Sequence, residues 1–120
     1  IVPVGQDRVR VAGTAEFAGF DLRIEPARIE NLVRLAAQVY PQLADPARFT
    51  RTPWAGLRPV CMDGLPLIGP TRVPGLWLNT GHGHLGWTQA AGSGALLADL
   101  LTGQAPSVSA VPYAPQRFGL

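Results

Sequence analysis

The chain has 120 residues, of which 47% are hydrophobic and only 15% charged, with a net charge of +2. That length suits one small domain or a piece of a larger one, and a charged fraction well under the usual share of about a quarter implies that much of the surface is meant to be covered. No apolar run approaches the roughly 18 residues that span a bilayer, and no signal-peptide pattern opens the chain, so it reads as soluble or peripheral.

The cations are ten scattered arginines with no lysine. Without a basic stripe or interleaved aromatics they speak against nucleic-acid binding. The single cysteine, Cys61, excludes an internal disulfide, and nothing beside it suggests an activated nucleophile.

Along the chain, residues 8–17 alternate polar and apolar over their first half and predict a strand with one exposed face, with Gly13 and Gly19 marking a bulge or turn. Pro26 suits a first helical turn. Ile29, Leu32, Val33, Ala36, Val39 and Tyr40 then recur at helical spacing, with Arg28, Glu30, Asn31, Arg34 and Gln38 on the wet side, and Pro41 ends the helix. A polar loop containing Pro46 and Pro53 leads to residues 54–60, which predict a strand, and Asp63-Gly64 between apolar flanks signals a hairpin turn. Val73-Pro74-Gly75 makes another turn before a strand at 76–80.

The last helix, about 87–102, is apolar nearly all round, which predicts burial on more than one side. Gly92 and Gly94 each cost roughly 1 kcal/mol against alanine inside a helix, so close approach of another backbone is their expected purpose. Beyond Gly103 a proline-interrupted tail, 106–120, shows no strand.

The junction at 76–88, Leu-Trp-Leu-Asn-Thr-Gly-His-Gly-His-Leu-Gly-Trp-Thr, is the most informative stretch. A strand feeds a glycine-rich turn that opens a helix, where glycines at 81, 83 and 86 permit positive φ and the first helical N–H groups lack intrahelical partners. Those donors and the helix dipole favour an electron-rich or anionic ligand. Gly81-x-Gly83-x-x-Gly86 also matches a dinucleotide fingerprint, but such a site needs a second parallel strand ending in an acid about 20 residues on, and the only downstream acid, Asp99, lies within the helix. The junction is expected to cradle another part of a cofactor.

Residues 10–21 with Ala18-Gly19-Phe20-Asp21, then Trp54-Ala55-Gly56-Leu57-Arg58-Pro59, Asp63-Gly64-Leu65-Pro66-Leu67-Ile68-Gly69, Asn79-Thr80-Gly81-His82-Gly83, Leu85-Gly86-Trp87-Thr88 and Gly92-Ser93-Gly94 resemble, in order, the C-terminal part of bacterial D-amino acid dehydrogenases. These are flavoenzymes of the superfamily that includes glycine oxidase and D-amino acid oxidase. The resemblance covers nearly the whole chain. It implies a mixed α/β (α+β) fragment in which residues 1–50 belong to the substrate-binding domain and 51–120 to the C-terminal part of the FAD domain.

The activity implied is oxidation of a D-amino acid to an imino acid by hydride transfer to flavin, then hydrolysis to a 2-oxo acid and ammonia, with electrons passed to a respiratory acceptor. This is a reaction of D-amino acid catabolism, placed in the cytoplasm or at the periphery of the bacterial inner membrane. The family's N-terminal Rossmann unit, which holds the FAD pyrophosphate, is absent from these residues. The chain alone is therefore expected to be inactive, not to retain FAD, and to seek either that missing part or a second copy of itself.

By the resemblance, Arg58 clamps the substrate carboxylate, for which a planar guanidinium is suited; the competing reading is a structural ion pair. Gly81, His82, Gly83, His84, Leu85, Gly86, Trp87 and Thr88 would line the isoalloxazine end of FAD, where backbone N–H groups can stabilise charge that builds up on reduction; the competing reading is a plain turn into a helix. His82 and His84, two residues apart with no cysteine cluster, make a poor metal site and are assigned no acid–base role. Trp54, Trp77 and Tyr40 read as core or interface residues and Asp63 as a turn residue. Two alternatives stay open: a glycine or sarcosine oxidase-like relative, and a free-standing non-catalytic binding or assembly module.

Overall fold

A computed structural model describes residues 1–45 and 51–120; Pro46 of the expected polar loop lies outside the described residues. The chain forms two compact units, Ile1–Leu57 and Arg58–Leu120.

In the first unit, strands β1 (Val2–Val4) and β2 (Arg8–Arg10) pair antiparallel, Val2 opposite Arg10 and Val4 opposite Arg8. The expected strand over 8–17 stops at Arg10. Thr14 takes a positive φ of 55° and no described strand pairs with 11–17, so its backbone has no ladder to join. Helix α1 (Pro26–Val39) starts with proline in its first turn and ends just before Pro41, which opens a 3-10 turn over Pro41–Ala44. Its apolar stripe faces inward at Ile29, Leu32, Val33 and Ala36, and the polar residues at 28, 30, 31, 34 and 38 are exposed. Gly13 lies directly against Leu32, the close approach that explains a glycine there. Ion pairs from Arg28 to Glu16 (2.9 Å) and from Arg51 to Glu30 (2.7 Å) tie flanking coil to α1. Trp54 and Tyr40, read from sequence as core or interface, are exposed here.

The strand expected over 54–60 does not form; in the second unit Val60 alone makes an isolated bridge, to His82. The Asp63-Gly64 turn does form. Gly64 has φ 75°, its N–H donates to the Cys61 carbonyl at 3.0 Å, and the Leu65 N–H donates to Asp63 Oδ1 at 3.0 Å. It does not close a hairpin, because Pro59 before it and Pro66 after it each lack an N–H for a ladder. The hairpin lies one step on: β3 (Leu67–Pro70) pairs antiparallel with β4 (Trp77–Thr80), Leu67 opposite Thr80, around the turn at Val73-Pro74-Gly75.

Helix α2 (Gly86–Thr102) follows and stops at Gly103, whose left-handed φ of 68° lets its N–H donate back to the Asp99 carbonyl. Ile68 of β3, Leu96 of α2 and Pro115 of the tail form the core of this unit. The tail folds as two 3-10 turns, Val111–Tyr113 and Pro115–Phe118, and Gln116 Nε2 donates to the Pro70 carbonyl at 2.8 Å. Burial of α2 on more than one side is not met. Only Ser93 and Leu96 are buried, Ala90, Ala91, Ala95, Ala98 and Leu101 are exposed, and a Cβ on Gly92 or Gly94 would meet nothing within 4 Å.

Candidate cofactor and substrate site

The glycine-rich junction is shaped by its backbone. Gly81 is buried with φ 80°, and a Cβ there would collide with the Cys61 sulfur. Gly83 has φ 58° and donates its N–H to the Pro59 carbonyl at 2.9 Å. Gly86, expected from sequence to use positive φ, is instead ordinary helix with φ −55° and begins α2. A one-turn 3-10 segment, Gly83–Leu85, joins strand to helix, and no side chain caps either helical start.

Two sequence blocks some twenty residues apart therefore meet. The Pro59 carbonyl and Val60 hold Gly83 and His82, and Arg58 is the chain neighbour of Pro59. Arg58 is exposed and forms no hydrogen bond or ion pair with any described residue. The structural ion pair that competes with a ligand role thus has no partner among the described residues. His84, Leu85, Trp87 and Thr88 are exposed, Trp87 almost completely at 96%, while His82 and Gly86 are half-buried.

Buried polar atoms add to this picture. His82 Nε2 and Gln89 Oε1 are out of water with no hydrogen-bond partner among the described residues. Such atoms cost stability unless something satisfies them. Together with uncapped helical N–H groups, they are what a polar heterocyclic ring could engage, so the residues fit the isoalloxazine end of FAD.

One element went unread in the sequence. Arg117, in the tail, forks onto the turn at 63: Nε to Asp63 Oδ2 at 2.6 Å, Nη2 to Asp63 Oδ1 at 3.3 Å and to the Leu65 carbonyl at 2.6 Å, and Nη1 to the Ala114 carbonyl at 3.2 Å. The guanidinium hydrogen bond holds the Asp63 carboxyl below its ordinary pKa, and the carboxylate raises that of Arg117. A separation of 54 residues leaves no local pattern by which sequence could pair them.

Residues 1–100 match the family described as FAD dependent oxidoreductase (DAO). The chain belongs to this family. It is 46% identical over 112 residues to a D-amino acid dehydrogenase of Xanthobacter autotrophicus, a match covering 93% of this chain and 26% of that protein. Its fold resembles the crystal structure of glycine oxidase from Geobacillus kaustophilus, with a TM-score of 0.68 and 29% identity, over 79% of this chain and 25% of that one. The chain thus spans about a quarter of the length of these family members. Its mixed helices and small sheets are a fragment of the oxidoreductase fold. Among the described residues no helix is long and apolar enough to cross a membrane.

Proposed function

We propose that this chain is the C-terminal part of an FAD-dependent D-amino acid dehydrogenase, which oxidises a D-amino acid to an imino acid that water converts to a 2-oxo acid and ammonia. The observation that carries this is Arg58: a guanidinium with no partner among the described residues, at the start of the segment that pairs with the glycine turn. When bound, FAD supplies the two-electron acceptor.

Arg58 would take the substrate carboxylate through two parallel N–H···O bonds, which fix orientation as well as position. His84 and the residues from Gly86 through Thr88 would present backbone N–H groups toward the electron-rich edge of the cofactor ring, with His82 Nε2 and Gln89 Oε1 as further polar contacts. Trp87, Leu85 and His84 would exclude water from the neighbouring surface. Positioning does the work, and no residue of this chain is assigned a proton. Residues 1–50 would contribute to the substrate-binding domain and 51–120 to the FAD domain, with an N-terminal Rossmann unit supplying the pyrophosphate site.

Purified full-length protein should contain FAD and reduce a dye such as dichlorophenolindophenol with D-alanine, not L-alanine, releasing pyruvate and ammonia. Turnover that instead consumes oxygen and forms hydrogen peroxide would favour the glycine oxidase-like reading, which the structural likeness to that enzyme supports. A flavin-free full-length protein would leave the non-catalytic module. A respiratory acceptor would bring the enzyme to the cytoplasmic face of the inner membrane, testable by co-sedimentation with membranes.

A further inference from the structure

We propose that Arg117 is a positioning residue: by clamping the 61–65 turn, it holds Arg58 and the backbone at 81–83 in a fixed register. The inference rests on the reading that Arg58 meets the substrate carboxylate.

Between Arg58 and the glycine turn the backbone ties are few. Residues 51–59 form no helix or strand, and the strand-like pairing of 58–65 with the glycine turn amounts to one bridge at Val60 and one hydrogen bond at Pro59. Just beyond, Cys61 fills the space that Gly81 leaves open, so the turn at 61–65 is in direct contact with the junction. Whatever fixes that turn fixes both blocks.

Arg117 is built for this. All three of its guanidinium nitrogens are engaged, on Asp63, Leu65 and Ala114. The tail that carries it is anchored by buried Pro115 and by Gln116 on Pro70 at the end of β3. The clamp thus runs from the β3 edge through the turn to Val60 and the Pro59 carbonyl. A partly exposed ion pair adds little to global stability, whereas a forked guanidinium–carboxylate contact restricts geometry. Orientation is therefore the effect to look for.

The test uses the full-length FAD-loaded protein with Arg117→Met and Asp63→Asn, the second leaving the tail's packing intact should the first fail to fold. Amide hydrogen exchange is followed at Leu65 and Gly83, and KM and kcat are measured with D-alanine. Both variants should load FAD, exchange faster at Leu65 and Gly83 than the parent while α1 is unchanged, and lose about tenfold or more in kcat/KM, chiefly through KM, since small misplacements of a binding group are costly. Arg117→Lys, which cannot reproduce the fork, should recover only part. A lowered melting temperature with parental exchange at Gly83 and parental KM would overturn the proposal and leave Arg117 a plain tail anchor. Arg58→Ala run alongside separates the two readings. If that variant keeps normal kcat/KM, the carboxylate assignment fails, while the exchange at Gly83 still decides the clamp.

Discussion

Arg58 is a full charge with no partner among the described residues, in a chain whose other described arginines, Arg72 apart, each contact a carboxylate, an amide or an aromatic ring. If it binds the substrate carboxylate in a site shielded from water, losing the charge-assisted pair should cost about 2 to 5 kcal/mol. Arg58→Ala and Arg58→Lys in the full-length protein should load flavin normally, yet lose at least about a hundredfold in kcat/KM for D-amino acids, roughly 2.7 kcal/mol. Near-normal kcat/KM in both would make Arg58 a surface arginine. Asp63 offers a pH handle of opposite character. Its pKa is lowered by the Arg117 hydrogen bond, so its contribution is fully present above the ordinary carboxylate pKa and is lost as pH falls through the lowered one. The stability difference between the parent and Asp63→Asn, read from urea midpoints, should shrink as pH drops from about 5 toward about 2. A difference that stays constant over that range would mean the pair is not formed in solution.

At the scale of elements, the strand-to-helix junction depends on Gly81 having neither a side chain nor a preference for negative φ. Gly81→Ala should destabilise the full-length protein by about 2 kcal/mol or more, the sum of left-handed strain and overpacking against Cys61. Adding Cys61→Ala should return the overpacking share and leave the strain; no recovery would place the whole cost in the backbone. Such sites show how far the sequence could be read. Helix α1 was legible because its period, its leading Pro26 and its closing Pro41 are all local, and α2 because a glycine-rich turn follows β4 and Gly103 stops the helix. Arg58 and the 81–88 turn were legible as blocks, but their meeting through Pro59 and Val60 was not, since an isolated bridge needs no alternation. The strand expected at 54–60 failed for a different reason. Its residues are apolar enough, but Pro59 removes a donor and no described strand lies beside it. The Arg117 clamp was invisible because a 54-residue separation carries no spacing rule.

For the molecule as a whole, the decisive quantity is surface left uncovered. The buried apolar side chains of its described residues come down to Ala36, Ile68, Leu96 and the prolines at 66 and 115. Cores that small rarely hold a chain together without outside help. The exposed side of α2 is alanine and glycine with Trp87 and Leu101 at its ends, a surface that admits another backbone closely and gains nothing from water. In the full-length protein, the N-terminal part would cover it, and the absence of arginine or glutamate from this helix then follows. Expressed alone, the 120-residue chain should therefore be colourless, lacking the pyrophosphate site that anchors FAD, and should self-associate. Analytical sedimentation over a range of concentrations, with an apolar-surface dye and a flavin absorbance scan on the same sample, decides both. Gly94→Glu, which places a charge on the bare face at a position where a Cβ meets nothing within 4 Å, should reduce the association of the isolated chain yet impair folding of the full-length protein. If the isolated chain sediments as a monomer without binding dye, or if Gly94→Glu is neutral in the full-length protein, α2 is not the covered surface.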